Sequence, residues 1–93
     1  MKTIAMAIGN SDDKLTQVEW AEFVRQMDTL IAERCTEKHF FGGPANWAPW
    51  QNVMWLFTIE AQALEALYAD CVAIRAHYRQ SYIAIVEGET QFI

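Results

Sequence analysis

Basic residues are scarce in this sequence. Seven Lys and Arg stand against twelve Asp and Glu, giving a net charge of −5. That balance lacks the clustered cations needed to neutralise a nucleic-acid backbone, so nucleic acid is not an expected partner. No polybasic run exists to hold an anionic membrane surface. Long apolar runs are missing too: none approaches the roughly 20 residues that cross a bilayer, so no membrane partner is expected. The first residues enter a strand-like pattern directly, without the layout of a secretory leader. Cysteine is limited to Cys35 and Cys71. One falls at an expected helix end and the other on an expected helix core face, and two thiols in a leaderless chain imply a reduced, cytoplasmic setting. The two histidines, His39 and His77, lie on different elements with no Cys or carboxylate at recognisable ligand spacing. Neither has the Ser or Cys setting of a nucleophile triad. No metal and no cofactor is implied.

What is present is a chain of 93 residues with four Trp and five Phe. That length suits one domain, residues 1–93, with a modest core and marginal stability. Residues 3–9 alternate Ile4, Met6 and Ile8 against Thr3, Ala5 and Ala7, a strand pattern closed by Gly9. Residues 10–14 form a polar loop. Thr16 and Glu19 make a capping box, with Leu15 and Trp20 placed as a hydrophobic staple. From there Trp20, Phe23, Val24, Met27, Leu30 and Ile31 recur at helical spacing until about Arg34. Residues 36–41 read as a short edge strand guarded by Glu37 and Lys38, and Gly42-Gly43-Pro44 breaks it. Residues 52–59 are apolar on both faces, as in a central strand. A second helix is expected over about 61–79 and a last strand over about 82–87.

The order β-α-β-β-α-β is the split-βαβ pattern. It predicts an α+β, ferredoxin-like sandwich: an antiparallel sheet in order 4-1-3-2 with both helices on one face. Two expectations follow from that topology. First, the loops 9–16, 42–52 and 79–82 meet at one pole, while the opposite loops, 34–36 and 59–61, are plainer. Second, the uncovered sheet face carries Ala5, Ala7, Met54 and Leu56, with Tyr82, Ala84 and Val86 or their neighbours. An apolar patch of that extent usually marks an interface, here a homodimer packed sheet to sheet.

The pole collects the unusual polar residues. Asn10, Ser11, Asp12, Asp13 and Lys14 come from the first loop, Trp47, Trp50, Gln51 and Asn52 from the second, and Arg79, Gln80 and Ser81 from the third. Asp12 and Asp13 could hold a divalent ion or act as acid and base, or be a solvated loop favoured by the helix dipole. Lys14 and Arg79, with Arg75 near them, could meet a phosphate or carboxylate beside the helix N–H groups, or pair with Asp12 and Asp13. Trp47 and Trp50 could stack on a base or an apolar ligand, with Gln51 and Asn52 reading its polar edge, or the loop could cap the core. Cys71 is expected to pack as a small apolar group.

Segments Gly9–Leu15, Glu19-Trp20 with Phe23, Ala48–Asn52 with Trp55, and Tyr78–Ser81 resemble a group of small uncharacterised proteins of actinobacteria and their phages. The resemblance implies a phage or accessory role and carries over no functional residue. The fold expectation is also similar to the dimeric α+β barrel superfamily, whose members pair sheet to sheet and include cofactor-free oxygenases and haem-handling enzymes. The combined expectation is a non-enzymatic oligomeric protein that binds a small polar or nucleotide-like ligand, such as a host defence signal, at the pole. The alternatives are a protein-binding inhibitor of a host factor and a small dimeric α+β barrel enzyme.

Overall fold

The computed structural model describes residues 1–10, 12–44 and 51–93. Its elements run β1 (Lys2–Gly9), α1 (Gln17–Arg34), β2 (Glu37–Gly42), β3 (Asn52–Ile59), a 3-10 turn (Ala61–Ala63), α2 (Leu64–His77) and β4 (Ala84–Gly88). The four strands form one sheet in the order β2-β3-β1-β4. Every neighbouring pair is antiparallel. This is the 4-1-3-2 arrangement expected from the sequence.

The central pair fixes which residues share a face. β1 and β3 pair in unbroken register from Lys2 opposite Ile59 to Gly9 opposite Asn52. Residues opposite one another point to the same side. Ile4, Met6 and Ile8 therefore join Trp55, Phe57 and Ile59 on the inner face, where all six are buried. Both helices close over them. α1 contributes Phe23, Met27, Leu30 and Ile31, and α2 contributes Leu67 and Cys71. Each large side chain buried in this way is worth about 1.5–3 kcal/mol. The Cys71 thiol lies 4.0 Å from the Met6 sulfur. Burial pushes its pKa up to about 11, so it is an apolar core group rather than a nucleophile.

Local sequence sets the helix ends. Thr16 accepts a hydrogen bond from the Glu19 N–H at 3.1 Å, and the Glu19 carboxylate accepts one from the Thr16 N–H at 3.1 Å. The capping box is complete, with Leu15 buried beneath it and Trp20 packed against the core. α2 has no side-chain cap, and its first turn tightens into the 3-10 stretch. The helix expected over 61–79 is thus α-helical only from Leu64 to His77. At its far end the Gln80 N–H donates to the Arg75 carbonyl at 3.0 Å and the Arg79 N–H to the Ala76 carbonyl at 3.1 Å. This is a Schellman turn, with Arg79 at the left-handed position (φ 58) where glycine is usual.

Two edges also differ from expectation. β4 begins at Ala84, so Tyr82 and Ile83 precede the strand. β2 has a bulge between Lys38 and Phe40. Lys38 lies on the edge strand, as expected, and pairs with Asp28 of α1 at 2.9 Å. Asp28 also accepts a hydrogen bond from the Trp55 indole at 3.0 Å. Burial opposes ionisation of Asp28, but these two donors outweigh it and hold its carboxyl below the usual range. At the other edge the Tyr68 hydroxyl donates to Glu87, tying α2 to β4. Burial first, then that carboxylate, drive the Tyr68 pKa upward.

Candidate functional site

The pole is organised by Asn10. It follows β1 and is only 4% exposed. Its side-chain oxygen accepts from the Leu15 N–H at 3.0 Å, and its amide donates to the Leu15 carbonyl at 3.1 Å and to Gln51 Oε1 at 2.9 Å. Its backbone N–H donates to the Gln51 carbonyl at 2.9 Å. A buried amide with its donors and acceptor engaged acts as a strut. Sequence reasoning offered Asn10 as a ligand contact. The structure instead gives it the task of binding the loop before α1 to the segment before β3.

Gln51 continues that network. It exchanges hydrogen bonds with Gln17 at 2.8 and 3.3 Å, so the start of α1 and the start of β3 are joined. Asp13 sits in the left-handed region (φ 58), and its N–H donates to the Asn10 carbonyl at 3.0 Å. Asp and Asn tolerate that conformation better than most residues. Asp12 accepts from the Lys14 N–H at 3.3 Å.

The cations of the pole are already paired. Lys14 lies 3.5 Å from Asp12. Arg79 meets Glu19 at 2.9 Å and the Lys14 carbonyl at 3.3 Å. The Thr16 N–H, then the Arg79 guanidinium, hold the Glu19 carboxyl below its ordinary value. In the folded chain these cations form ion pairs, Lys14 with Asp12 and Arg79 with Glu19 rather than Asp13. Arg75 lends its carbonyl to the Schellman turn, and its side chain does not line the pole's cleft.

That cleft has a volume of about 670 Å³, within the roughly 300–1,000 Å³ range of small-molecule sites. It lies between the end of β1, the start of β3 and the chain entering β4. Asp12, Gln51, Asn52, Gln80 and Ser81 line it, together with Gly9 and Tyr82. Its floor includes Ala7 and Ala84, which face each other on the uncovered side of the sheet. Asp13, Lys14 and Arg79 lie at the same pole outside the cleft lining. Ser11, Trp47 and Trp50 fall outside the described residues. Sequence reasoning missed Gln17 and Glu19 as pole residues, and it assigned Tyr82 to a strand. The capping box already marked Glu19, but nothing in the pattern pointed it at Arg79.

The architecture has solved counterparts. A crystal structure of an Arabidopsis thaliana protein superposes with a TM-score of 0.63 at 11% identity, covering 99% of this chain and 96% of that one. A dimeric ferredoxin-like protein of unknown function from Thermobifida fusca gives 0.55 at 14% identity, covering 97% and 92%. The fold is ferredoxin-like. At these identities the likeness carries the fold alone. No protein-family model matches the chain. No curated protein matches it either.

Chemically, the cleft is furnished for hydrogen bonding. Its one carboxylate, Asp12, is paired, and no His or Cys appears among its described lining residues. No group of three metal-ligating side chains is present among the described residues, and none of their helices is long and apolar enough to cross a membrane.

Proposed function

We propose that this chain is a non-enzymatic binding protein that takes a small polar, nucleotide-like ligand at the pole and works as a homodimer paired through its open sheet face. The observation that carries the reading is the cleft, where amide and hydroxyl groups from three distant segments line one cavity. A lone paired carboxylate supplies no acid–base couple, which favours binding over catalysis. Trp47 and Trp50 enter the reading on sequence grounds, as stacking rings. Pairing is supported by the exposed apolar side chains Phe40, Met54 and Val86 on the open face, and by the dimeric ferredoxin-like neighbour. The resemblance to small actinobacterial and phage proteins adds an accessory role, such as sequestering a host defence signal in the cytoplasm.

A thermal-shift screen against nucleosides, nucleotides, cyclic nucleotides and ADP-ribose derivatives tests the ligand. A compound at about 100 times its Kd adds roughly 2.7 kcal/mol, several degrees for a domain this small. The expected result is a shift that is lost in Asn52→Ala and reduced in Trp50→Ala. A panel without any shift overturns the ligand reading and turns attention to a host protein partner.

A further inference from the structure

The charges and the neutral polar groups of this pole are arranged very differently. Lys14 is held by Asp12, and Arg79 by Glu19 and the Lys14 carbonyl. The N-terminus of α1, where an anion would otherwise be welcome, is occupied by the Glu19 carboxylate of its own capping box. A phosphate in the cleft meets the Asp12 carboxylate and no Lys or Arg among the described lining residues, on a chain of net charge −5. Apart from Gln51, which Asn10 and Gln17 hold, the neutral groups are largely unengaged. Among the described residues, the side chains of Asn52, Ser81 and Tyr82 make no hydrogen bond, and Gln80 spends one amide N–H on the Tyr78 carbonyl at 3.0 Å, leaving its oxygen unused.

The floor has its own message. Ala7, Gly9 and Ala84 leave the sheet low on this side of the cleft. Gly9 is not required by the backbone: it has no positive φ, and a Cβ there would meet nothing closer than the Gln51 carbonyl at 3.5 Å. Its bareness therefore preserves space. Tyr82, 75% exposed, brings an aromatic ring to the same cleft. A low floor, an accessible ring and a neutral donor–acceptor rim suit a flat molecule read along one edge.

We infer that the cleft takes an uncharged planar heterocycle, a nucleobase or nucleoside, and discriminates against its phosphorylated forms. The inference rests on the ligand-binding reading above and narrows it. Asn52 and Gln80 supply the complementary amides, and Ser81 the hydroxyl at the rim. The rejection comes from Asp12, the carboxylate in the lining, and from the lack of any Lys or Arg among the described lining residues.

Calorimetric titration of the full chain with the four common ribonucleosides and their 5′-monophosphates tests this. At least one nucleoside is expected to bind, with its monophosphate weaker by about tenfold or more, a discrimination of the size expected when polar groups are left unmatched. The gap should narrow as salt screens the Asp12 carboxylate. Asn52→Ala should weaken nucleoside binding about tenfold. Ala84→Leu, at an exposed strand position, should block the floor without unfolding the chain. If circular dichroism shows that variant misfolded, Gly9→Ala provides the same reduction of space at an accommodated site. A monophosphate that binds as tightly as its nucleoside, or more tightly, overturns the inference while leaving the cleft a ligand site. Failure of all these compounds to bind also overturns it; the broader ligand reading then falls only if the wider thermal-shift panel is silent as well.

Discussion

The two faces of the sheet are built from alternate residues of the same strands, yet they are solved differently. The inner face presents Ile4, Met6, Ile8, Trp55, Phe57 and Ile59, all buried beneath two helices. The outer face presents Ala5 and Ala7 beside Leu56 and Met54, flanked by Val86 and Phe40. Small residues on the outer face run along β1 and the start of β4, as Ala5, Ala7, Gly9 and Ala84, with the larger Met54, Leu56, Phe40 and Val86 beside them. The inner face is committed to holding the chain together. The outer face stays partly exposed, with large apolar side chains beside a bare shelf at Ala7, Gly9 and Ala84.

The contrast can be broken most forcefully from inside. Phe57→Ala removes a fully buried ring and should cost about 3–5 kcal/mol, read as a fall in the urea midpoint. Asn10→Ala attacks the strut that ties the loop before α1 to the segment before β3. It leaves the buried Leu15 backbone N–H and carbonyl without their side-chain partner and should cost about 1–3 kcal/mol in the same measurement. Leu56→Asp tests the outer face. Its expected effect is on association: a dimer mass by light scattering should become a monomer mass, with native circular dichroism retained. A wild-type chain that is monomeric at micromolar concentration would remove the proposed dimer.

A gentler probe is acid. Glu19 and Asp28 both have folded-state pKa values held below their ordinary ones. Each contributes stability above its unfolded pKa and loses it as pH falls through the lower, folded value. Thermal midpoints should therefore decline below about pH 4.5, the ordinary carboxylate range. Glu19→Gln should shrink that decline, since Gln can keep the capping hydrogen bond without titrating. The smallest effect belongs to Arg79→Gly. Glycine relieves the left-handed position by roughly 1 kcal/mol but gives up an exposed ion pair worth about 0–1 kcal/mol. The net change should stay within about 0.5–1 kcal/mol, while Arg79→Ala, which loses the pair without relief, should be the less stable of the two.

Much of the fold was legible because period-2 alternation in β1 and β3 and the 3–4 spacing in α1 are strong local signals. The Thr16–Glu19 capping box was legible for the same reason: both partners lie within four residues. Of the polar residues expected at the pole, Asp12, Gln51, Asn52, Gln80 and Ser81 do line one cleft, because topology alone brings their loops together. The roles of the pole residues were not legible. Asn10 reads as a loop residue until its partners Leu15 and Gln51 are known, and only the fold reveals that its amide is buried. Ion pairing of Lys14 and Arg79 with Asp12 and Asp13 was already open in the sequence, but the pairing of Arg79 with Glu19 was not. Lys38 read as an edge-strand residue and is one, but neither its pairing with Asp28 nor the bulge after it leaves a clear mark in six residues. Pairings across tens of residues are tertiary facts, and no local pattern encodes them.

The sheet order also governs how the chain comes together in time. β1 occupies the middle of the sheet between β3 and β4, although it is the earliest strand to leave the ribosome. Neither neighbour exists until synthesis has passed Asn52 and then Ala84. Both seams of the centre are therefore long-range closures, which are slow relative to helix formation. A chain that ends before Ala84 can still close the β1–β3 seam, but it leaves open the edge of β1 that β4 pairs, and an unpaired strand edge of that kind is prone to aggregation.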